Sequence, residues 1–196
     1  MVGKNIPSYT PIRNPPWRYE HPAIGSKSKA IENHYPTMLL EDIKKLKVRD
    51  IADDNCVLFL WATAPKLKEC IEVMVAWGFE YRTCAIWDKK TIGVGYWFRN
   101  QHELLLIGKI GKFSPPEPKQ RVSSVYQEKK SEHSKKPTFF RNLISEWYPD
   151  KNKIELFARK NDPVNLWGKS SFDNWDVIGN EIDGKNIKKT LENMIK

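Results

Sequence analysis

The chain has 196 residues with an apolar fraction of 40%, which suits one globular domain with a single sizeable core. Lysine and arginine number 33 against 24 acidic residues, and the formal charge of +9 points to a polyanionic partner, most simply nucleic acid. Cys56, Cys70 and Cys84 are odd in number and show no C-x-x-C spacing, which argues against a disulfide framework or a zinc finger.

The histidines His21, His34, His102 and His133 lack ligand spacing, so no metal is expected. The start, "MVGKNIPSYT", has no apolar signal core, and the run Cys56–Trp61 falls far short of the ~20 apolar residues of a membrane span. The expectation is a soluble, cytoplasmic protein of a reducing compartment, with no membrane partner.

The first distinctive stretch is "IRNPPWRYE", residues 12–20. Proline fixes φ and donates no backbone hydrogen bond, so Pro15-Pro16 predicts a stiff turn with an amide, Asn14, on one side and an aromatic, Trp17, on the other. The preceding "SYTPIR" makes a poor strand. A polar loop follows, and "LLEDIKKLKVRDI" then predicts one short amphipathic helix with Leu39, Ile43 and Leu46 on one side.

"CVLFLW" (56–61) reads as a strand covered on both faces. "PKLKECIEVMVAWG" reads as a helix with Pro65 in its first turn and Gly78 as its C-terminal cap. "FEYRTCAIW" (79–87) and "ELLLIGKI" (103–110) are further strands. Between them, Gly93, Gly95, Tyr96, Trp97 and Arg99 mark a long aromatic loop of the functional kind. The basic stretch 111–136 reads as a solvated loop.

A helix over "PTFFRNLISEW", strands at "KIELFA" (153–158) and "WDVIG" (175–179), and a closing helix over "KNIKKTLENMIK" complete the pattern. Alternating strands and helices predict an α/β fold in one domain spanning residues 1–196. In such sheets ligands bind beyond the carboxyl ends of the strands, where NPPW, the 93–100 loop and the residues after Phe157 would then lie.

A rigid platform flanked by an amide and an aromatic suits one chemical problem. Adenine's exocyclic amine is a poor nucleophile because its lone pair is delocalised into the ring. Acceptors such as the Asn14 side-chain carbonyl and the Pro15 backbone carbonyl would draw that nitrogen toward tetrahedral geometry, while Trp17 offers a ring face to the base. No covalent nucleophile is evident, "GVG" (93–95) lacks the last glycine of G-x-G-x-x-G, and no P-loop is present.

The ordered blocks resemble the MT-A70 family of S-adenosylmethionine-dependent N6-adenine methyltransferases. They are NPPW where the family has D-P-P-W, then "HYPTM" (34–38), "FLWAT" (59–63), "GYWFRNQHEL" (95–104), "HSKKP" (133–137), "IELFAR" (154–159) and "NWDVIGNE" (174–181). The resemblance implies a single-domain Rossmann-like methyltransferase fold, with a central mostly parallel sheet flanked by helices.

It also implies roles, position by position. Asn14, Pro15, Pro16 and Trp17 would be the catalytic turn, with Asn14 also touching the cofactor's methionine end. Lys136 would hold the cofactor's carboxylate, and Arg159, Asn180 and Glu181 its ribose and adenine. Asn161 and Asp162 align with cofactor contacts across a longer connection at 160–172. Tyr35, Trp97, Arg99, Asn100 and Glu103 would face the incoming base. The bare residues leave Trp97 open to a core role, Asn180 to a simple turn role, and Arg99 and Glu103 to a mutual surface pair.

The implied reaction is methyl transfer from S-adenosylmethionine to the N6 amine of adenine, with no metal and with base flipping if the substrate is a duplex. DNA is preferred to RNA because the chain is short, like the bacterial members. A homodimer or a methyltransferase-like partner subunit is compatible with this. The competing readings are an RNA N6-adenosine methyltransferase and a silent methyltransferase-like subunit that binds nucleic acid for a partner enzyme.

Overall fold

The computed structural model describes residues 9–13, 15–18, 37–95, 97–130, 135–157, 175–179 and 186–195. Its centre is β2 (Cys56–Thr63), buried along almost its whole length as its unbroken apolar run predicts. Cys56, Leu58, Leu60 and Ala62 face one core cluster and Val57, Phe59 and Trp61 the other, the period-2 alternation of a strand buried on both sides.

Two short helices precede this strand, α1 (Leu40–Lys44) and α2 (Val48–Ile51). The single helix expected over 39–51 is therefore divided at Leu46, where the Val48 amide turns back to the Leu46 carbonyl at 2.7 Å. Ile43, Leu46, Val48 and Ile51 all still reach the first core cluster, so the break repoints the second segment without exposing its apolar side.

After a 3-10 turn at Ala64–Lys66 comes α3 (Leu67–Ala76). Gly78, at φ +83°, ends it as expected, with its amide on the Val75 carbonyl at 2.8 Å. Strands β3 (Glu80–Asp88) and β4 (His102–Ile110) form an antiparallel pair, and β4 lies antiparallel against β2 as well.

The stretch 111–130 carries more regular structure than its composition suggests. It contains a 3-10 turn at Pro118–Gln120 and a short strand, β5 (Val125–Gln127), parallel to β3. Three aromatic side chains bind it from the body of the protein. Trp147 Nε1 donates to the Gln120 carbonyl at 3.0 Å, Trp87 Nε1 to the Glu128 carbonyl at 2.8 Å, and the Tyr148 hydroxyl to the Ser114 carbonyl at 3.4 Å.

The remaining elements are β1 (Tyr9–Arg13), α4 (Thr138–Trp147), β6 (Asn152–Leu156), β7 (Trp175–Ile178) and α5 (Ile187–Ile195). "SYTPIR", unpromising by composition, supplies the strand between β2 and β6. It pairs in parallel with β6 from Tyr9 to Arg13, but with β2 only at Ile12 and Arg13, beginning just after Pro11, which has no N–H to give.

Among the described residues the sheet order is β5-β3-β4-β2-β1-β6-β7, and β4 alone runs against the other strands. The mostly parallel α/β sheet is as expected. Helices α1, α2, α3 and α5 cover one face, and α4 packs on the other through Phe140 and Ile144. There Trp61 meets Phe140 edge-on at 5.1 Å and Trp87 at 6.2 Å.

Candidate active site

Because β4 is the only reversed strand among the described residues, the carboxyl ends of the other strands and the start of β4 share one edge. This is the edge at which open α/β sheets bind ligands, at the point where successive connections turn to opposite sides. Here that point lies between β1, from which the chain passes to β2, and its neighbour β6, from which it passes to β7 on the other side.

The turn after β1 is held at its described residues by a set of backbone bonds. The Trp17 amide donates to the Pro15 carbonyl at 2.9 Å, closing a tight three-residue turn about Pro16 that proline's fixed φ favours. The Met38 amide donates to the Pro16 carbonyl at 2.8 Å and the Arg18 amide to the Met38 carbonyl at 3.3 Å, so the end of HYPTM is tied to the proline turn. Two blocks twenty residues apart in the chain thus meet. The Pro15 carbonyl, with one lone pair occupied, keeps a second for another donor.

Trp17 departs from its expected use. It is only 6% exposed and belongs to the first core cluster, so its ring anchors the turn and presents little open face to a base. Its indole Nε1 is buried without a hydrogen-bond partner. Asn14 and Tyr35 lie outside the described residues, as do Arg159, Asn161, Asp162, Asn180 and Glu181.

Lys136 and Glu103 are brought together. Glu103 stands near the start of β4, in register with Thr63 of β2 and Trp87 of β3. Its Oε2 meets Lys136 Nζ at 2.9 Å while Oε1 lies 3.7 Å from Lys89 Nζ, and both carboxylate and lysines are largely buried. Lys136 also lies over the Trp61 ring, 5.8 Å from its centroid. A surface pair between Arg99 and Glu103 does not form, because Arg99 instead donates from Nε to the Gly93 carbonyl at 2.7 Å.

The loop between β3 and β4 continues the hairpin past the sheet. The Lys89 amide reaches the Gln101 carbonyl at 2.9 Å, the Gly93 amide the Asn100 carbonyl at 3.0 Å, and the Asn100 amide the Val94 carbonyl at 3.2 Å. Asp88 Oδ1 accepts from the Lys90 amide and from Gln101 Nε2, each at 2.8 Å. Those two bonds, the Lys90 amide first, hold the Asp88 carboxyl below its ordinary range. Trp97 is not a core residue: it is 95% exposed.

Two further features of this edge escape sequence reasoning. Phe157, directly after β6, sits at φ +63°, a strained conformation for a bulky residue. Gly179, directly after β7, is buried. Elsewhere, a cavity of about 430 Å³ opens between α4, the middle of β3 and β4, and the 113–124 segment, and none of the expected site residues lines it.

The described part of the edge fits an S-adenosylmethionine site in its donor set. The Lys136 ammonium, held at the strand ends above an aromatic floor, matches a carboxylate, and the proline turn follows the neighbouring strand. The sheet is compatible with that of an α/β methyltransferase.

The MT-A70 family profile matches residues 11–181. The Type II methyltransferase M.MunI of a Mycoplasma species is 32% identical over 191 residues, covering 89% of this chain and 78% of the relative. N(6)-adenosine-methyltransferase MT-A70-like proteins of Drosophila melanogaster and Arabidopsis thaliana are 27% and 26% identical, but this chain spans only 26% and 23% of their lengths. The chain belongs to the MT-A70 family, and the expected class, an N6-adenine methyltransferase, stands with that membership.

Proposed function

We propose that this chain methylates the N6 amine of adenine in DNA, as a site-specific methylase of the restriction–modification kind. The observation that carries the choice of DNA is the likeness to M.MunI, a Type II methyltransferase matched over most of both chains. The N(6)-adenosine-methyltransferase relatives are matched over about a quarter of their length.

S-adenosylmethionine, when bound, supplies an electrophilic methyl group. Lys136 gives its carboxylate a cationic partner, and Arg159, Asn161, Asp162, Asn180 and Glu181 are proposed for the rest of the cofactor. The Asn14 side-chain carbonyl and the second lone pair of the Pro15 carbonyl accept from the target amine, localising its lone pair on nitrogen. Tyr35, Arg99 and Asn100 are proposed for the base-entry side, and Glu103 for the boundary between base and cofactor. Asparagine keeps the carbonyl acceptor of the family's aspartate without its negative charge. A homodimer or a methyltransferase-like partner subunit remains compatible with the site.

The test is transfer from isotope-labelled S-adenosylmethionine to duplex DNA, single-stranded DNA and RNA, followed by digestion to nucleosides. Label in N6-methyldeoxyadenosine is expected, and Asn14→Ala should lower its rate by about 10²–10³-fold, the scale of losing one positioned polar group. Label in RNA alone would transfer the reading to RNA. No label anywhere, with no cofactor binding, would leave the silent-subunit reading.

A further inference from the structure

At the tip of the β3–β4 hairpin the protein exposes a pair of neighbouring aromatics. Trp97 and Phe98 are 95% and 86% exposed, and Ile92 and Val94 beside them are also open. Exposed apolar groups of this size on one loop mark a contact surface.

This tip is built to hold its shape. The backbone bonds across Gly93, Val94 and Asn100 pin its two arms, and the Arg99 guanidinium clips it again at the Gly93 carbonyl. A Cβ at Gly95 would run into the Phe98 carbonyl, and one at Gly93 into the Asn100 carbonyl. Glycine at both positions lets the chain fold back closely enough to present the two rings. The root is braced as well, since the Glu128 amide bonds the Asp88 carbonyl at 3.1 Å and the Lys130 amide the Lys89 carbonyl at 3.4 Å.

The surroundings are cationic. Lys90, Arg99, Lys129 and Lys130 are all exposed on the hairpin or on the segment braced against it. Protein–protein interfaces are depleted in lysine, whereas aromatic rings set among cations are the composition of surfaces that stack on bases and track phosphates. The hairpin also leaves the sheet at the carboxyl edge, the edge that carries the proline turn and Lys136.

Resting on the reading of adenine methylation in DNA, we propose that Trp97 and Phe98 form a wedge that enters the duplex beside the target adenine. The rings stack on the bases left behind and hold the gap open while the adenine occupies the site. Extruding a base costs unstacking and unpairing, and an aromatic filler offsets that cost only when the substrate is base-paired.

The experiment compares wild type with a Trp97→Ala/Phe98→Ala variant on one target sequence, presented as duplex and as single strand, in single-turnover methyl transfer. The ratio of duplex to single-strand rate should fall about tenfold or more, the scale of losing aromatic stacking on a base. Emission from 2-aminopurine at the target position of the duplex should rise with wild type and stay low with the variant. Trp97→Phe, which keeps a ring, should retain most of the ratio.

An equal loss on both substrates, or no loss, would overturn the wedge while leaving the methylation reading intact. A wild-type oligomer that the variant dissociates in sedimentation would make the tip a protein contact instead. No methylation of DNA by wild type would remove the reading and the wedge with it.

Discussion

The two halves of the sheet are built differently. β2, β3 and β4 are 8, 9 and 9 residues long, and β4 joins the other two by antiparallel ladders. β1, β6 and β7 are 5, 5 and 4 residues long and pair only in parallel. The long half contains a hairpin that forms from neighbouring sequence and supplies much of both core clusters. The short half needs partners from far along the chain, and the proline turn, Arg159 and Asn180 all follow its strands in sequence. The long ladders thus lie on one side of the sheet, while Asn14, Arg159 and Asn180 follow strands of the other, and Lys136 and Glu103 stand at the end of the long half.

The largest expected effect tests the long half. Phe59, 2% exposed on β2, faces α4 and is not proposed to touch a ligand. Phe59→Ala should cost about 3–5 kcal/mol in urea unfolding, the usual range for a buried phenylalanine. A cost under about 1 kcal/mol, within the range of a surface change, would show that this half is not where stability lies.

Lys136→Ala tests the site at the end of that same half. Cofactor affinity measured by calorimetry should fall about ten- to a hundredfold, the scale of a lost charge-assisted bond, while DNA affinity moves little. A larger loss of DNA affinity than of cofactor affinity would make Lys136 a phosphate contact.

The smallest effect is a pH dependence. Burial at the end of α4 pushes the Tyr148 hydroxyl from 10.0 up to about 12. The unfolded chain then releases this proton first, so the contribution is complete below pH 10 and drains away as pH climbs from 10 toward 12. Tyr148→Phe should flatten the fall in melting temperature over that window. Some slope should survive, because the hydrogen bond to Glu128 raises Tyr126 to about 12 as well. An unchanged slope would place the alkaline sensitivity elsewhere.

What the sequence shows of this molecule follows the same division. The unbroken apolar run of β2 and the helical spacing of α3, α4 and α5 are local signals, and each element stands within a residue or two of its expected place. β1 carries no such signal, because a five-residue strand holding a proline owes its conformation to the neighbours on either side. β5 is hidden likewise, being three residues in a polar stretch whose order comes from distant indoles.

In the site, ordered motif blocks led to Lys136, Glu103 and the proline turn as candidates. Their mutual arrangement did not follow. The Lys136–Glu103 pair joins residues from separate blocks, and no spacing rule announces it. Trp17 reads as a stacking surface beside two prolines, yet the backbone ties to Met38 turn it into the core.

The placement of β1 has a consequence for the order of assembly. Its full ladder runs from Tyr9 with Asn152 to Arg13 with Leu156, one of the longest loop closures in the sheet. Closures of that span come late, after local hairpins have formed. On the ribosome β1 can pair early with β2 only at Ile12 and Arg13, and its full ladder waits until Asn152–Leu156 has emerged. The proline turn that follows β1 is therefore among the last parts of the structure to be completed.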